Sequence, residues 1–221
     1  MKRLIIAGVL LLSAFGARAQ DPVYLFSEYE NAHFTFIDSR TADARTNFDM
    51  LRQKIYYRQG ADIMEMTGME RLATLTVGGR RFVMTGGMLC EVIPLESGQE
   101  VLVNWRIRKI NRGYKGPFGN TLQRVEEVWV NPDLKEARPE AETVEGKDEY
   151  IVEVWNSKSE NTYFILVDGE QYRIRRPNDL YKAFPAQAQQ LKAFAKADKN
   201  KMLTAEEALR FFVEFFRLRG E

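Results

Sequence analysis

His33 and Cys90 are the only histidine and the only cysteine in the chain. Any nucleophile–base pair or mixed zinc site would have to be built around them. A zinc site draws several His, Cys or carboxylate ligands, usually at short spacing, and these two lie far apart in sequence. Cys90 sits in the apolar run Met88-Leu89-Cys90-Glu91-Val92-Ile93, so it reads as a small core residue. His33 opens the strand-like run His33-Phe34-Thr35-Phe36-Ile37 and reads as a strand residue. For calcium, Asp198 and Asn200 match positions 1 and 3 of an EF-hand loop. Leu203 stands where glycine is wanted, however, and Leu209 where a bidentate glutamate is needed. That segment reads as a turn between helices. No metal and no cofactor is expected.

Phosphate-cradling loops are also missing. Gly78-Gly79 and Gly86-Gly87 lack the strand-to-helix context that aims backbone donors at a phosphate, and no G-x-S-x-G elbow occurs. A pair of carboxylates across a cleft would serve a hydrolase, but the sequence places no such pair.

One segment rises above this background. Between Asn104 and Val125 stand Arg106, Arg108, Lys109, Arg112, Lys115 and Arg124, with no acidic residue among them. Trp105, Tyr114 and Phe118 interleave with these cations. Glu126 to Glu149 then carries nine acidic residues. The plain reading is a solvated strand edge beside charged loops. The sharper reading is a binding surface, because guanidinium forks grip carboxylates and phosphates and aromatic faces stack on sugars or partner side chains. Arg106, Arg108, Arg112, Tyr114 and Lys115 are the candidate binding residues. Arg106 and Arg108 share a strand face by the period of two, with Trp105 and Ile107 on the other. The last three follow in a glycine-bearing loop, the kind of segment on which scaffolds carry binding groups.

The elements around that segment read as strands first and helices last. Val23–Phe26, residues 33–37, Lys54–Arg58, Ile63–Met66, Leu72–Val77, Arg80–Val83, Glu100–Ile110, Asp148–Trp155, Tyr163–Val167 and Gln171–Ile174 are rich in β-branched and aromatic residues. Gly78-Gly79 and Asp168-Gly169 suit two-residue hairpin turns. Residues 111–124 and 131–147 read as loops. At the C-terminus, Asn178 can cap a short helix through Phe184, and Pro185 can start another to about Ala197. Thr204-Ala205-Glu206-Glu207 has the spacing of a capping box. Beyond it, Leu209, Phe212, Val213 and Phe216 are expected to be the buried face, widened by Phe211, Phe215 and Leu218. The class is α+β: a mainly antiparallel β body over 20–176, as a sandwich or partly closed barrel, with two to three helices over 177–221 packed on it.

Residues 1–19 read as a cleavable signal peptide. Lys2 and Arg3 precede an apolar run from Leu4 to Phe15, and Ala17-Arg18-Ala19 places small residues before a cut at Gln20. The run is too short to span a bilayer, which needs roughly 20 apolar residues, and no later stretch is apolar enough. Cleavage removes three of 32 basic residues and no acidic one, leaving 29 against 31 and a formal charge of −2. Such a chain has no bulk attraction to nucleic acid or anionic lipid. Export makes nucleic acid an improbable occupant of the basic segment.

Several stretches resemble a family of exported, functionally uncharacterised cell-envelope proteins of Gram-negative bacteria. They are the signal ending Ala19-Gln20, Phe34–Ile37 to Asn47–Leu51, Met69–Leu72 running into Val77–Val83, Arg112–Gly119, Thr162–Leu166, and Leu180–Pro185 with the helices after it. The resemblance implies a β-rich body with a helical C-terminus in the periplasm or at the outer membrane. It carries over no catalytic residues. The expectation is therefore a non-catalytic exported protein that binds an envelope protein or a polysaccharide. The alternatives are an envelope hydrolase using a carboxylate pair and a structural accessory of an outer-membrane assembly.

Overall fold

The computed structural model describes residues 22–115, 121–122 and 152–220, without the side chains of 111–115, 121–122 and 152–155. The proposed signal peptide and the break at 131–147 lie outside the described residues.

Ten strands form one open antiparallel sheet: β1 Glu30–Phe36, β2 Thr41–Asp49, β3 Lys54–Gln59, β4 Asp62–Glu65, β5 Leu72–Val77, β6 Arg80–Thr85, β7 Met88–Pro94, β8 Glu100–Asn104, β12 Thr162–Val167 and β13 Glu170–Ile174. Across the sheet they run β13-β12-β8-β7-β6-β5-β1-β2-β3-β4. A smaller sheet, ordered β10-β9-β11, is made from β9 Ile107–Lys115, β10 Thr121–Leu122 and β11 Val152–Ser159. Helices α1 Pro177–Ala183, α2 Pro185–Ala197 and α3 Ala205–Arg219 follow. The fold is α+β and mainly antiparallel. Its large sheet is not closed, and the three helices follow at the C-terminus, as expected.

The hairpins form where the turn chemistry demands. Gly78 and Gly79 join β5 to β6 with φ of 55° and 74°, and Asp168-Gly169 joins β12 to β13 at 52° and 81°. Both central positions are left-handed, which a two-residue type I′ loop needs.

One row of directly paired residues runs across seven strands: Phe34, Leu75, Phe82, Glu91, Val103, Tyr163 and Ile174. Every member is buried. Glu91 is its only charged member, and it marks the join between two apolar clusters. On one side, Val101, Val103, Tyr163, Ile165 and Ile174 pack with Leu180, Leu191 and the aromatic face of α3. On the other, Phe34, Phe48, Ile55, Leu75, Phe82 and Leu89 pack together. Trp105 packs against both.

The buried face of α3 is Ala208, Phe211, Phe212, Phe215 and Phe216. That is the i, i+3, i+4, i+7, i+8 stripe. Phe212 and Phe216 are buried as expected. Leu209 is only partly buried, and Val213 is 44% exposed, which corrects its assignment to the core. At 3.6 residues per turn these two fall on the flank of a stripe centred on the paired phenylalanines. Thr204 caps the helix by accepting from the Glu207 amide at 3.1 Å. At the start of α1, Arg176 is the cap residue rather than Asn178, with Pro177 in the first turn.

Two strand readings are also corrected. Val23–Phe26 is not a strand: it contributes one isolated bridge, Tyr24 to Asp49. Buried Asn47 donates to the carbonyls of Phe26 and Glu28 at 2.8 and 3.0 Å, and accepts from the Phe26 amide. Asp49 accepts from the Val23 amide. Two backbone bonds flank the bridge, from the Leu25 amide to the Phe48 carbonyl and from the Met50 amide to the Val23 carbonyl, and side chains take up the backbone groups that a longer ladder would have used. Nor is Glu100–Ile110 one strand. It ends at Asn104, and β9 starts at Ile107 in the other sheet.

Candidate basic cleft

The break at Trp105-Arg106 builds the site. The Trp105 indole N–H donates to Glu91 Oε2 at 2.6 Å, and the Arg80 guanidinium makes a two-pronged pair with the same carboxylate. Arg80 lies over the rings of Phe26, Phe82 and Trp105 at 5.0 to 5.7 Å. A carboxylate buried in an apolar row costs several kcal/mol unless paired and hydrogen-bonded, and Glu91 has both. Gln53 clasps the same corner. Its amide nitrogen donates to the carbonyls of Met50 and Trp105, each at 2.8 Å, and its amide oxygen accepts from Asn104 at 2.8 Å. The Ile107 amide then bonds the Met50 carbonyl at 3.1 Å. The chain therefore leaves the large sheet at a fixed angle, with Trp105 inward and Arg106 outward.

Arg106 and Arg108 are both exposed, as expected of them. The Arg106 amide donates to Asn161 Oδ1 at 3.0 Å, and the Arg106 carbonyl accepts from the Glu160 amide at 2.8 Å. Arg108 pairs in register with Lys158, so two cations stand directly opposite each other. Arg108 also meets Glu160 at 3.4 Å. The expected loop at 111–124 is corrected in part: Arg112, Tyr114 and Lys115 belong to strand β9, which pairs with β11 and β10. Side-chain positions for these three lie outside the described residues.

Beside Arg106 opens a cleft of about 700 Å³. Five cations line it: Arg106, Lys158, Arg175, Arg176 and Lys201. Among the described residues Glu160 is its one carboxylate, and Ser159, Asn161 and Thr162 add polar groups. The cations come from four places: the β8–β9 break, the end of β11, the β13–α1 junction and the α2–α3 turn. Each place is held by its own bonds. Asp179 accepts from the amides of Arg175 and Arg176 at 2.9 and 3.2 Å. In the α2–α3 turn, buried Asn200 donates to the Glu207 carbonyl at 2.7 Å and accepts from the Met202 amide at 3.0 Å. Glu207 accepts from the amides of Lys201 and Leu203. Asn200 and its neighbours thus form an inter-helix turn whose polar groups bond to one another.

Arg176 pairs with Asp179 at 3.4 Å. Among the described residues, the side chains of Arg106, Lys158, Arg175 and Lys201 meet no carboxylate. Of these four, only Arg106 was singled out in the sequence. The others lie in three separate segments, each with an ordinary local composition. No spacing rule links them.

The remaining reactive groups are engaged elsewhere. Burial pushes the Cys90 thiol up to about 12, so it stays protonated at neutral pH. Cys90 lies on β7 and His33 on β1, with β5 and β6 between them. At ~4.8 Å per strand that separation is about 14 Å, too far for a nucleophile–base pair. His33 instead bonds Asp43 at 2.8 Å. The buried carboxylates Asp49 and Glu91 are committed to internal donors: Asp49 accepts from the Leu51 and Arg52 amides and pairs with Arg52 at 3.0 Å. No helix among the described residues is long and apolar enough to cross a membrane. Comparison with family models, with curated proteins and with solved structures gives no match.

Proposed function

We propose that this is an exported cell-envelope protein that binds a negatively charged partner, a protein segment or a surface glycan, without catalysing a reaction on it. The observation that supports this most is the unbalanced charge of the cleft beside Arg106. Arg106, Lys158, Arg175 and Lys201 line it without a carboxylate partner among the described residues. Such an arrangement is relieved when a counter-charge arrives. Arg106 lines the cleft, Arg108 follows it on β9, and Arg112, Tyr114 and Lys115 lie farther along that strand. Export rests on the charged and apolar pattern of residues 1–19.

The test is recovery of the partner. Tagged protein drawn from its native envelope in gentle detergent should bring a partner with it, and N-terminal sequencing should begin at Gln20. Changing Arg106, Arg108 and Arg112 together to Glu should abolish recovery while thermal unfolding stays within about 0.5 kcal/mol of the parent, as for other surface changes. Undiminished recovery by the folded triple variant would remove this surface from the binding reading. Recovery should also fall as salt is raised, because exposed charges are screened beyond about 10 Å at 0.1 M.

A further inference from the structure

Resting on the reading that the cleft binds an anion, we infer that its ligand is a compact group carrying two phosphates. Charge and volume together lead to this class. Among the described residues five cations line the cleft; Arg176 is paired with Asp179 and Glu160 is met by Arg108, which leaves four positive charges without a carboxylate. A cleft of about 700 Å³ seats one small ligand. A ligand seated there answers those charges best with one compact group. Two phosphate monoesters supply it, at about −1.5 to −2 each. Carboxylates at one per sugar or amino-acid unit would need four units, a chain too long for the cleft.

Geometry points the same way. A carboxylate is planar, and one guanidinium fork satisfies it. Here the cations come from four separate chain segments, which suits tetrahedral groups with oxygens in several directions. Ser159 and Thr162 can bond the hydroxyls of a sugar or glycerol between the phosphates. Among the described residues no aromatic lines the cleft, so those residues offer a neutral sugar face no stacking surface, and recognition is led by charge. Leu203, 63% exposed at the lip beside Lys201, would rest against whatever carries the phosphates.

Titration calorimetry of the purified protein tests this with glucose 1,6-bisphosphate, glucose 6-phosphate and tetragalacturonate. The bisphosphate should bind at least ten-fold tighter than either of the others. Arg175→Gln with Lys201→Gln should weaken it by ten-fold or more, whereas Arg81→Gln, on the large sheet and paired with Glu100, should leave it unchanged. If the double variant fails to fold, Lys201→Gln alone, in an exposed turn, should still weaken binding several-fold. Vesicles of phosphatidylcholine with phosphatidylinositol 4,5-bisphosphate, whose headgroup carries two phosphate monoesters, locate the source. Sedimentation with them, lost in the variant, assigns the phosphates to a lipid. Binding of the free bisphosphate alone assigns them to a glycan or soluble ligand. Tetragalacturonate binding as tightly as the bisphosphate would overturn the phosphate class and leave anion binding standing. A folded protein that binds none of the probes would overturn both.

Discussion

The two ends of the ten-stranded sheet solve the same burial problem with different materials. At the β8–β12–β13 end, helices supply the cover and the contact is almost wholly apolar. Phe211, Phe212, Phe215 and Phe216 are all fully buried, and Phe212 meets Tyr163 with ring centroids 5.5 Å apart. At the β1–β4 end no described helix lies on the sheet. There Phe48 and Ile55 share the interior with Thr46, Asn47 and Asp49, all nearly inaccessible. The hydrogen bonds of Asn47 and Asp49 help tie down residues 23–28, which meet the sheet only at the Tyr24–Asp49 bridge. Where aromatic mass covers a sheet, strands can stay regular and apolar. Where an irregular segment is the cover, buried polar side chains must satisfy its backbone.

The comparison is sharpest if the two ends lose stability for different reasons. Phe212→Ala should cost the most, about 3–5 kcal/mol, as core aromatics do. Denaturant unfolding reads this directly, and a variant as stable as the parent would show that α3 is not docked. Glu91→Ala, at the join of the two ends, should cost about 2–3 kcal/mol. It strands the Trp105 N–H and the Arg80 guanidinium, with some relief because Arg80 is partly open to water. A change in Trp fluorescence should accompany it. Asn47→Ala, at the helix-free end, should cost about 1–2 kcal/mol by releasing carbonyls of residues 26–28. Faster hydrogen exchange confined to that segment would confirm the bracket, whereas exchange spread over the whole sheet would erase the contrast between the ends.

Smaller effects mark the limits of each end. Val213→Ala should stay within about 0.5 kcal/mol, although it lies on the same helix as Phe212. The smallest effect belongs to Asp38 in the β1–β2 turn. Hydrogen bonds from Arg40, aided by Arg71, hold its carboxyl down at about 2 against an ordinary 3.8. A depressed acid contributes stability above its unfolded value, lost as pH falls through the folded one. Asp38→Asn should therefore flatten a slight fall in melting temperature below pH 4, read by scans at pH 4 and pH 2. At neutral pH the pair is exposed and worth little.

Much of the fold was legible because its signals are local. Gly78-Gly79 and Asp168-Gly169 declare hairpins since few residues accept two successive left-handed positions. Pro185 and Thr204 mark helix starts through backbone chemistry within one turn of each. β2 was harder to see. Thr41-Ala-Asp-Ala-Arg-Thr-Asn-Phe-Asp is too polar to read as a strand, and its buried residues are justified only by residues 23–28 lying against them. Val23–Phe26 differs for the opposite reason, having strand composition but a single bridge continued by side-chain partners.

The sequence by itself determined the α+β class, the hairpins, the helix boundaries near Pro185 and Thr204, and the outward arginines at 106 and 108. Each of these depends on residues within a few positions of one another, where propensity and periodicity act. Tertiary structure alone decided the break at Trp105, because the indole is drawn inward by Glu91 on β7, a strand that β8 merely neighbours. It alone decided the cleft as well. Arg106, Lys158, Arg175 and Lys201 are brought together by a β break, a strand end, a helix entry and a helix–helix turn. Charge acts through space, so four cations far apart along the chain can make one site that no local pattern records.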